Sequence, residues 1–308
     1  MATVKSVNTS KEKGTVKEPV PVITIDNQGI VDDAHRGPWH RQISLLAEED
    51  IACFRAQMER DIDSGEFAEN ITTDGLDLSR ASILDEIRIG SVTLRVTQIG
   101  KKCHGDGCAI FREVGKCVMP DKGIFTQVIQ PGQVKAGDAV ELIERPLMVQ
   151  IITLSDRVKA GVYPDRSGPA AENVLHAFFK DKRWHLNVTR QVMTDDPQPL
   201  QQALEEAIAN EVDVILTLGG TGVGPRDNAP QVVASVCDRG MPGIMEFIRN
   251  KYGETIPSAR LSRSIAGVTN KTQLYALPGS VRAVTQHLEE ILLTCEHVIS
   301  MLYGFDIH

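Results

Sequence analysis

From residue 146 onward the apolar positions follow two alternating periods. Val149 to Leu154, Leu186 to Met193, Val212 to Leu218 and Thr272 to Leu277 are apolar or β-branched-rich runs of strand length. Between them, Ser167 to Lys180, Pro197 to Asn210 and residues 230 to 251 carry helical spacing, with Ser167 placed to cap the first helix and Pro197 near the first turn of the second. Val281 to Leu302 puts apolar residues at 281, 284, 288, 291, 292, 295, 298, 299 and 302, one stripe of a long amphipathic helix. Strands alternating with helices predict an α/β fold whose mostly parallel sheet is covered on both faces. Ligands of such sheets bind beyond the carboxyl ends of the strands. The segments after the four strands, 155–169, 194–199, 219–227 and 278–280, would therefore share one rim.

The first 145 residues are patterned differently. Short β-type runs (Val20 to Ile25, Ile87 to Gln98, Gly123 to Ile129, Ala139 to Ile143) alternate with glycine and polar turns, and one helical pattern spans Glu48 to Asp63. This predicts a mainly β domain, an antiparallel barrel or sandwich with a small helical insert. Residues 1 to about 15 read as dispensable to a fold. Two domains are expected, 1–145 and 146–308, each long enough to bury its own core.

Composition excludes several classes. Apolar content of 42% and charged content of 24% are those of an ordinary soluble protein, and a net charge of −8 argues against nucleic acid or an acidic membrane as partner. An anionic substrate would need focused positive groups. The polar start MATVKSVNTSKEKGTVKEP has no signal-peptide core, and nowhere do 18 apolar residues run together, so a cytoplasmic location is expected. Six cysteines in such a protein read as thiols rather than disulfides, with Cys103, Cys108 and Cys117 crowded into fifteen residues.

The candidate chemistry concentrates in VDVILTLGGTGVGPRDNAP, residues 212 to 230. A strand runs into glycines at 219, 220, 222 and 224, which permit positive φ and let successive amides point at phosphate oxygens. Asp227 beside such a cradle makes chemical sense when a cation, usually Mg²⁺, lies between carboxylate and phosphate. The turn is neither a P-loop nor a dinucleotide fingerprint, because Pro225 and Arg226 follow Gly224. A glycine-rich connection that only tightens packing is the alternative.

With these residues the C-terminal half resembles the molybdopterin adenylyltransferase family of the MogA/MoaB type. The carriers are ITLSDR (152–157), GVYPDRSGP (161–169), VMTDDP (192–197), LTLGGTGVGPRD (216–227), MPGIMEFIR (241–249), LSR (261–263) and LPGS (277–280). The resemblance implies a three-layer α/β fold, commonly trimeric, that uses ATP and Mg²⁺ to adenylylate molybdopterin. The N-terminal half is similar to a MOSC domain through GIVDDAHRGPWHRQISLL (29–46), GEFAENITTDGLDLS (65–79), IRIGSVTLRVTQIGKKCH (87–104), GIF (123–125) and GD (137–138), which implies a β-barrel.

The resemblance gives Asp195 and Asp227 the catalytic, metal and phosphate-positioning roles, and Ser155, Asp156, Gly219, Gly220, Thr221, Gly222, Pro278, Gly279 and Ser280 the nucleotide and pterin contacts. On spacing alone Asp195 reads as a helix cap ahead of Pro197 rather than as a catalytic group. Two positions depart from the family: Ala229 stands where threonine is usual, and Leu218 where a small hydroxyl residue is common. In the MOSC-like half, Cys103 matches the functional cysteine, flanked by Lys101, Lys102 and His104, which favour thiolate; a persulfide carrier or a molybdenum contact follows. The rival is a metal site of Cys103, His104, Cys108 and Cys117. His35 and His40 read as structural, Arg36 and Arg41 as groups able to meet a pterin phosphate, and Trp39 as a core anchor. Expected ligands are Mg²⁺, ATP and molybdopterin or the finished molybdenum cofactor. Expected partners are further copies of the chain, a molybdate-insertion enzyme or a sulfur donor. The enzyme reading competes with a non-catalytic carrier of pterin or cofactor, and with an interaction protein stabilised by metal at the cysteines.

Overall fold

Strand-length apolar runs interrupted by proline or glycine turns give the N-terminal unit its many short strands. The computed structural model describes residues 1–58, 61–101 and 117–305. The chain divides into two units: Met1–Pro146 with Arg183–His185, and Leu147–Lys182 with the residues from Leu186 onward.

In the N-terminal unit the described strands are Thr3–Thr9 (β1), Glu18–Val20 (β2), Ile23–Asp26 (β3), Gly29–Ile30 (β4), Ile43–Ala47 (β5), Ile71–Asp74 (β6), Glu86–Ile89 (β7), Val92–Ile99 (β8), Ile124–Gln130 (β9), Gly132–Val134 (β10) and Val140–Ile143 (β11). Eight of them form one sheet in the order β11-β7-β8-β9-β5-β6-β1-β2, and β10, β3 and β4 form a second. Pairing is antiparallel except between β5 and β6, where Leu45 lies opposite Ile71 in a parallel pair. Helix α1 (Glu48–Met58) supplies the crossover that a parallel pair requires. Backbone bonds Val4 N to Asp138 O, Gly137 N to Val4 O and Val140 N to Ala2 O, each 2.8–3.0 Å, link β1 to the start of β11. The unit is mainly β around a core that includes Val7, Ile43, Leu45, Ile87, Leu94 and Ile124.

The N-terminal expectation needs corrections. The helical pattern over Glu48 to Asp63 gives a helix over Glu48–Met58 with residues 61–63 outside it, and the run Val20 to Ile25 is split between β2 and β3. Residues 3–9 are structural: Val4 and Val7 are buried in β1, and a register shift between Val4 and Ser6 breaks the strict alternation that would have revealed the strand. The run Ile87 to Gln98 is two strands, turned at Gly90 with φ +58°.

In the C-terminal unit the strands are Leu147–Leu154 (β12), Leu186–Met193 (β13), Val214–Leu218 (β14), Arg239–Gly240 (β15), Ile265–Thr269 (β16) and Thr272–Leu277 (β17). After the short helix Met119–Lys122 (α2) of the first unit, the second contributes Asp156–Lys159 (α3), Ser167–Phe179 (α4), Pro197–Ala209 (α5), Ala229–Ser235 (α6), Pro242–Gly253 (α7) and Val281–Leu302 (α8). Sheet order is β13-β12-β14-β17-β16-β15, the first four strands parallel and the last two pairings antiparallel, so the sheet is mixed. The reversal has a local cause. Thr269 pairs with Thr272 across a two-residue turn at Asn270, φ +47°, and a connection that short permits only an antiparallel return. Alternation along the strands feeds both faces. Ile152, Leu154, Ile215, Leu274 and Ala276 pack with Leu200, Leu204 and Val233 of α5 and α6. On the other face Gln273 Nε2 donates to Cys295 O of α8 at 3.2 Å.

Candidate active site

Because β12, β13, β14 and β17 are parallel, the segments that leave them share one edge of the sheet. At its centre the glycine turn follows β14. Gly219 has φ +121°, and a Cβ there would lie 2.6 Å from Leu154 O; Gly220 has φ +63°. Both positions need glycine. The amide of Gly219 is spent on Leu277 O at 2.9 Å, whereas the amides of Gly220, Thr221, Gly222 and Val223 have no hydrogen-bond partner among the described residues. Four successive free amides form a ready anion cradle. Carbonyls of the same turn do have partners: Gly220 O accepts from Ala229 N at 3.3 Å, Thr221 O from Arg263 N at 2.9 Å, Gly222 O from Arg263 Nε at 2.6 Å, and Asp227 O from Arg263 Nη2.

Asp227 closes the turn by accepting from Gly224 N at 2.8 Å through Oδ2, and that oxygen would stand 2.7 Å from a Cβ on Gly222. Two further carboxylates lie on this rim. Asp156 Oδ1 accepts from Asp195 N at 3.2 Å, and Asp156 Oδ2 pairs with Arg226 Nη1 at 2.5 Å. The Asp195 amide, followed by Arg226, holds the Asp156 carboxyl below its ordinary range. Burial, then the charges of Asp156 and Asp227, push Asp195 upward. Two carboxylates whose charges push up the pKa of a third describe a place that favours a cation. Among the described residues no group of three His, Cys, Asp or Glu is arranged to hold a metal ion by itself. Mg²⁺ commonly takes one or two carboxylates and completes its shell with phosphate oxygens and water, and Asp195 and Asp227 fit that use. The helix-cap reading of Asp195 is corrected, since the cap position of α5 is Asp196, which makes no capping bond.

Two clefts flank the turn. One, of about 550 Å³, is lined by Thr153, Ser155, Asp165, Arg166, Leu218 and Ser280 among others. The second, of about 520 Å³, is lined by Thr221, Gly222, Arg249, Arg282 and His287, and also by Ser280. Both are of small-molecule size. The loop Pro278–Ser280 stands between them, packed so closely that a Cβ on Gly279 would lie 3.2 Å from Gly219 Cα. Ser155 and Ser280 also cap helices, accepting from Val158 N and Ala283 N at 3.3 Å each. The cap position expected at Ser167 falls at Arg166, which makes no capping bond, and the first amides are met by Asp165, whose Oδ1 accepts from Ser167 N at 3.1 Å and Gly168 N at 3.0 Å, while Oδ2 accepts from Thr153 Oγ1 at 3.1 Å. The residues that sequence reasoning did not single out are Asp165, Arg263, Arg249, Arg282 and His287. Asp165 had a local signal, an aspartate two residues before a serine at a helix start. Arg263 lies in the LSR motif (261–263) that carries the resemblance, but nothing local gave it a role, because its contacts lie 36 to 42 residues away along the chain.

In the N-terminal unit Cys103, His104 and Cys108 lie outside the described residues, and Cys117 is half-buried against the cluster of Leu46, Phe54, Phe67 and Phe125. Arg36 is paired with Asp26 at 2.5 Å. Trp39 is half-buried rather than a core anchor; it donates from Nε1 to His35 O at 2.7 Å and has the Arg41 guanidinium 5.0 Å from its ring centroid. His40 is buried, its Nδ1 3.3 Å from Thr97 Oγ1. A buried ion pair was not anticipated: Lys17 Nζ meets Asp33 Oδ2 at 2.5 Å, both side chains almost fully enclosed.

Residues 150–297 match the family model described as "Probable molybdopterin binding domain", and residues 32–141 match the MOSC domain. The chain is 32% identical over 146 residues to the molybdopterin adenylyltransferase of Haemophilus influenzae, a match covering 47% of this chain and 73% of that protein. The C-terminal half of this chain belongs to the molybdopterin adenylyltransferase family. The family member of Helicobacter pylori is 29% identical over 157 residues, covering 51% of this chain and 88% of the relative. The molybdenum cofactor biosynthesis bifunctional protein of Synechococcus elongatus is 36% identical over 156 residues, 51% of this chain and 47% of that one. Among solved structures, MoaB from Thermus thermophilus has 31% sequence identity and a TM-score of 0.46, covering 51% of this chain and 97% of the other. In this family member the glycine turn, the three aspartates and the two clefts all fall inside the matched segment.

Proposed function

We propose that residues 146–308 catalyse ATP-dependent adenylylation of molybdopterin. In that reaction an oxygen of the substrate's terminal phosphate attacks the α-phosphorus of ATP, the bond to the bridging oxygen breaks, and pyrophosphate leaves. The observation that carries the proposal is the run of free amides at 220–223 set beside Asp156, Asp195 and Asp227. Phosphoryl and adenylyl transfer depend on positioning and charge neutralisation more than on covalent help from the protein. Two ligand-sized clefts meeting at Ser280 and the turn suit a reaction that joins two substrates.

Each residue has a defined task in this reading. Amides 220–223 bind phosphate oxygens and orient the chain of phosphates. Asp195 and Asp227 would hold Mg²⁺, which supplies positive charge to neutralise the leaving pyrophosphate. Ser155, Asp156, Thr221, Pro278, Gly279 and Ser280 shape the nucleotide and pterin contacts. Arg226, now paired with Asp156, is a cation free to exchange that partner for a phosphate.

For residues 1–145 the proposal is a MOSC barrel that binds the cofactor or carries sulfur through Cys103. The hydrogen bonds joining residues 2–4 to 137–140 support a closed sheet. The reading extends to a homo-oligomer, as the resemblance implies, acting in the cytoplasm, as the polar start MATVKSVNTSKEKGTVKEP suggests. Among the described residues no helix is long and apolar enough to cross a membrane.

The test is pyrophosphate release on mixing the chain with Mg²⁺, ATP and molybdopterin. Release that requires molybdopterin, and falls at least about 100-fold in Asp227→Ala, is expected from the loss of a group neutralising the developing charge. ATP binding without release would instead leave the unit a carrier. Ala229 is buried beside Gly220, and Ala229→Thr asks in the same assay whether the hydroxyl usual in the family changes the rate.

A further inference from the structure

Arg263 makes three hydrogen bonds to one loop. Its amide donates to Thr221 O at 2.9 Å, Nε donates to Gly222 O at 2.6 Å, and Nη2 donates to Asp227 O. It sits between the short 3₁₀ turn Pro257–Leu261 and β16, two elements outside the loop it grips. No carboxylate neutralises it among the described residues.

The consequence follows from peptide geometry. In a trans peptide the C=O of one residue and the N–H of the next point in opposite directions, and the structure contains no cis bond among the described residues. Fixing Thr221 O and Gly222 O on Arg263 therefore turns the N–H groups of Gly222 and Val223 the other way, where they have no partner among the described residues. Glycine-rich backbone has little intrinsic preference for such an arrangement and would otherwise sample many. The third bond, to Asp227 O, anchors the far end of the same turn and hence the backbone that carries the Asp227 carboxylate.

We infer that Arg263 is a positioning residue that presets the Gly222 and Val223 amides as a phosphate-binding pair and fixes Asp227 relative to them. It acts without touching substrate. This rests on the reading of the turn as a phosphate cradle and names the group that builds it. A guanidinium can bridge Gly222 O and Asp227 O at once, whereas a lysine ammonium in its place can hold one of them well.

The experiment measures binding of inorganic pyrophosphate, in Mg²⁺ buffer, to the full chain by calorimetry, with the amide signals of ¹⁵N-glycine-labelled protein followed in parallel. Wild type is expected to bind with a shift of the Gly222 amide. Arg263→Ala should bind about 10- to 100-fold more weakly, the range of a lost charge-assisted hydrogen bond, and without that shift. Arg263→Lys should fall between, and added guanidinium ion should partly restore Arg263→Ala, which a misfolded loop would not allow. Arg263→Ala or Arg263→Lys binding pyrophosphate within twofold of wild type overturns the inference, as does a wild type whose Gly222 amide ignores the ligand. A wild type that binds pyrophosphate through Gly222 but never adenylylates molybdopterin sinks the enzymatic reading while leaving Arg263 its role.

Discussion

At the residue scale the most exacting group is Glu69. Its carboxyl is wholly buried; Oε1 accepts from Gly65 N at 2.5 Å and Thr72 Oγ1 at 3.0 Å, while Oε2 has no partner among the described residues. Burial pushes its pKa up to about 7 from 4.5, against the hydrogen bonds that pull it down. Between those values the folded protein holds a proton that the unfolded chain has released. The stability this group contributes is therefore complete below about pH 4.5 and is lost as pH rises through about 7, a change of order 3 kcal/mol. Glu69→Gln mimics the neutral acid. Urea unfolding of the N-terminal unit, followed by tryptophan fluorescence, should lose that decline between pH 4.5 and 7 in the variant, and above pH 7 the variant should match or exceed wild type. A variant that keeps the wild-type slope would show that another group sets it. Nothing in the run AENITTDG announces a buried acid, because burial arises only when β6 inserts between β5 and β1. The place of Asp227 at the close of a turn, by contrast, was legible, because four glycines in the six residues after the strand end mark that turn.

At the element scale three helices were readable to within a residue: α8 has the bounds its apolar stripe predicts, and α4 and α5 each end one residue early, whereas the pattern over Glu48 to Asp63 gave a helix over Glu48–Met58 and that over 230 to 251 divided into α6 and α7. Caps were read less well. The polar residue nearest the helix start, Ser167, does not cap it; the first amides are met by Asp165, whose carboxylate reaches two of them and Thr153 Oγ1 at once. Asp165→Ala should lower the urea midpoint of the C-terminal unit by the equivalent of about 1–2 kcal/mol, and Asp165→Asn, which keeps an acceptor, should lose less. Equal losses in both variants would mean that charge on the helix terminus, and not the cap bond, matters. Short strands were the other weakness. β5, β6 and β16 passed unmarked because they are continuous buried runs or polar sequences whose partners lie 26 or more residues away, apart from the tight return of β16 into β17. That return makes the sheet mixed, and a period count cannot show strand direction.

At the scale of the whole molecule an acidic chain with a net charge of −8 is proposed to bind two phosphorylated substrates. Long-range attraction does not explain that, so binding must come from local geometry: neutral amides at 220–223, cations such as Arg226, and a metal ion between carboxylates and phosphate. The metal requirement can be read without turnover. ATP with Mg²⁺ at about 100 times its dissociation constant stabilises the native state by about 2.7 kcal/mol, which for a unit of this size raises its calorimetric transition by about 5–10 °C. Chelating the metal should remove most of that gain, because ATP alone then meets Asp156, Asp195 and Asp227 uncompensated. Asp195→Asn and Asp227→Asn should behave oppositely to a simple loss of ligand: each removes one negative charge, so metal-free ATP should bind the variants no worse than wild type, while the extra stabilisation given by Mg²⁺ should shrink. If ATP stabilises wild type equally with and without the metal, the aspartates face something other than a metal-bound phosphate, and the cradle works by amides and arginine alone.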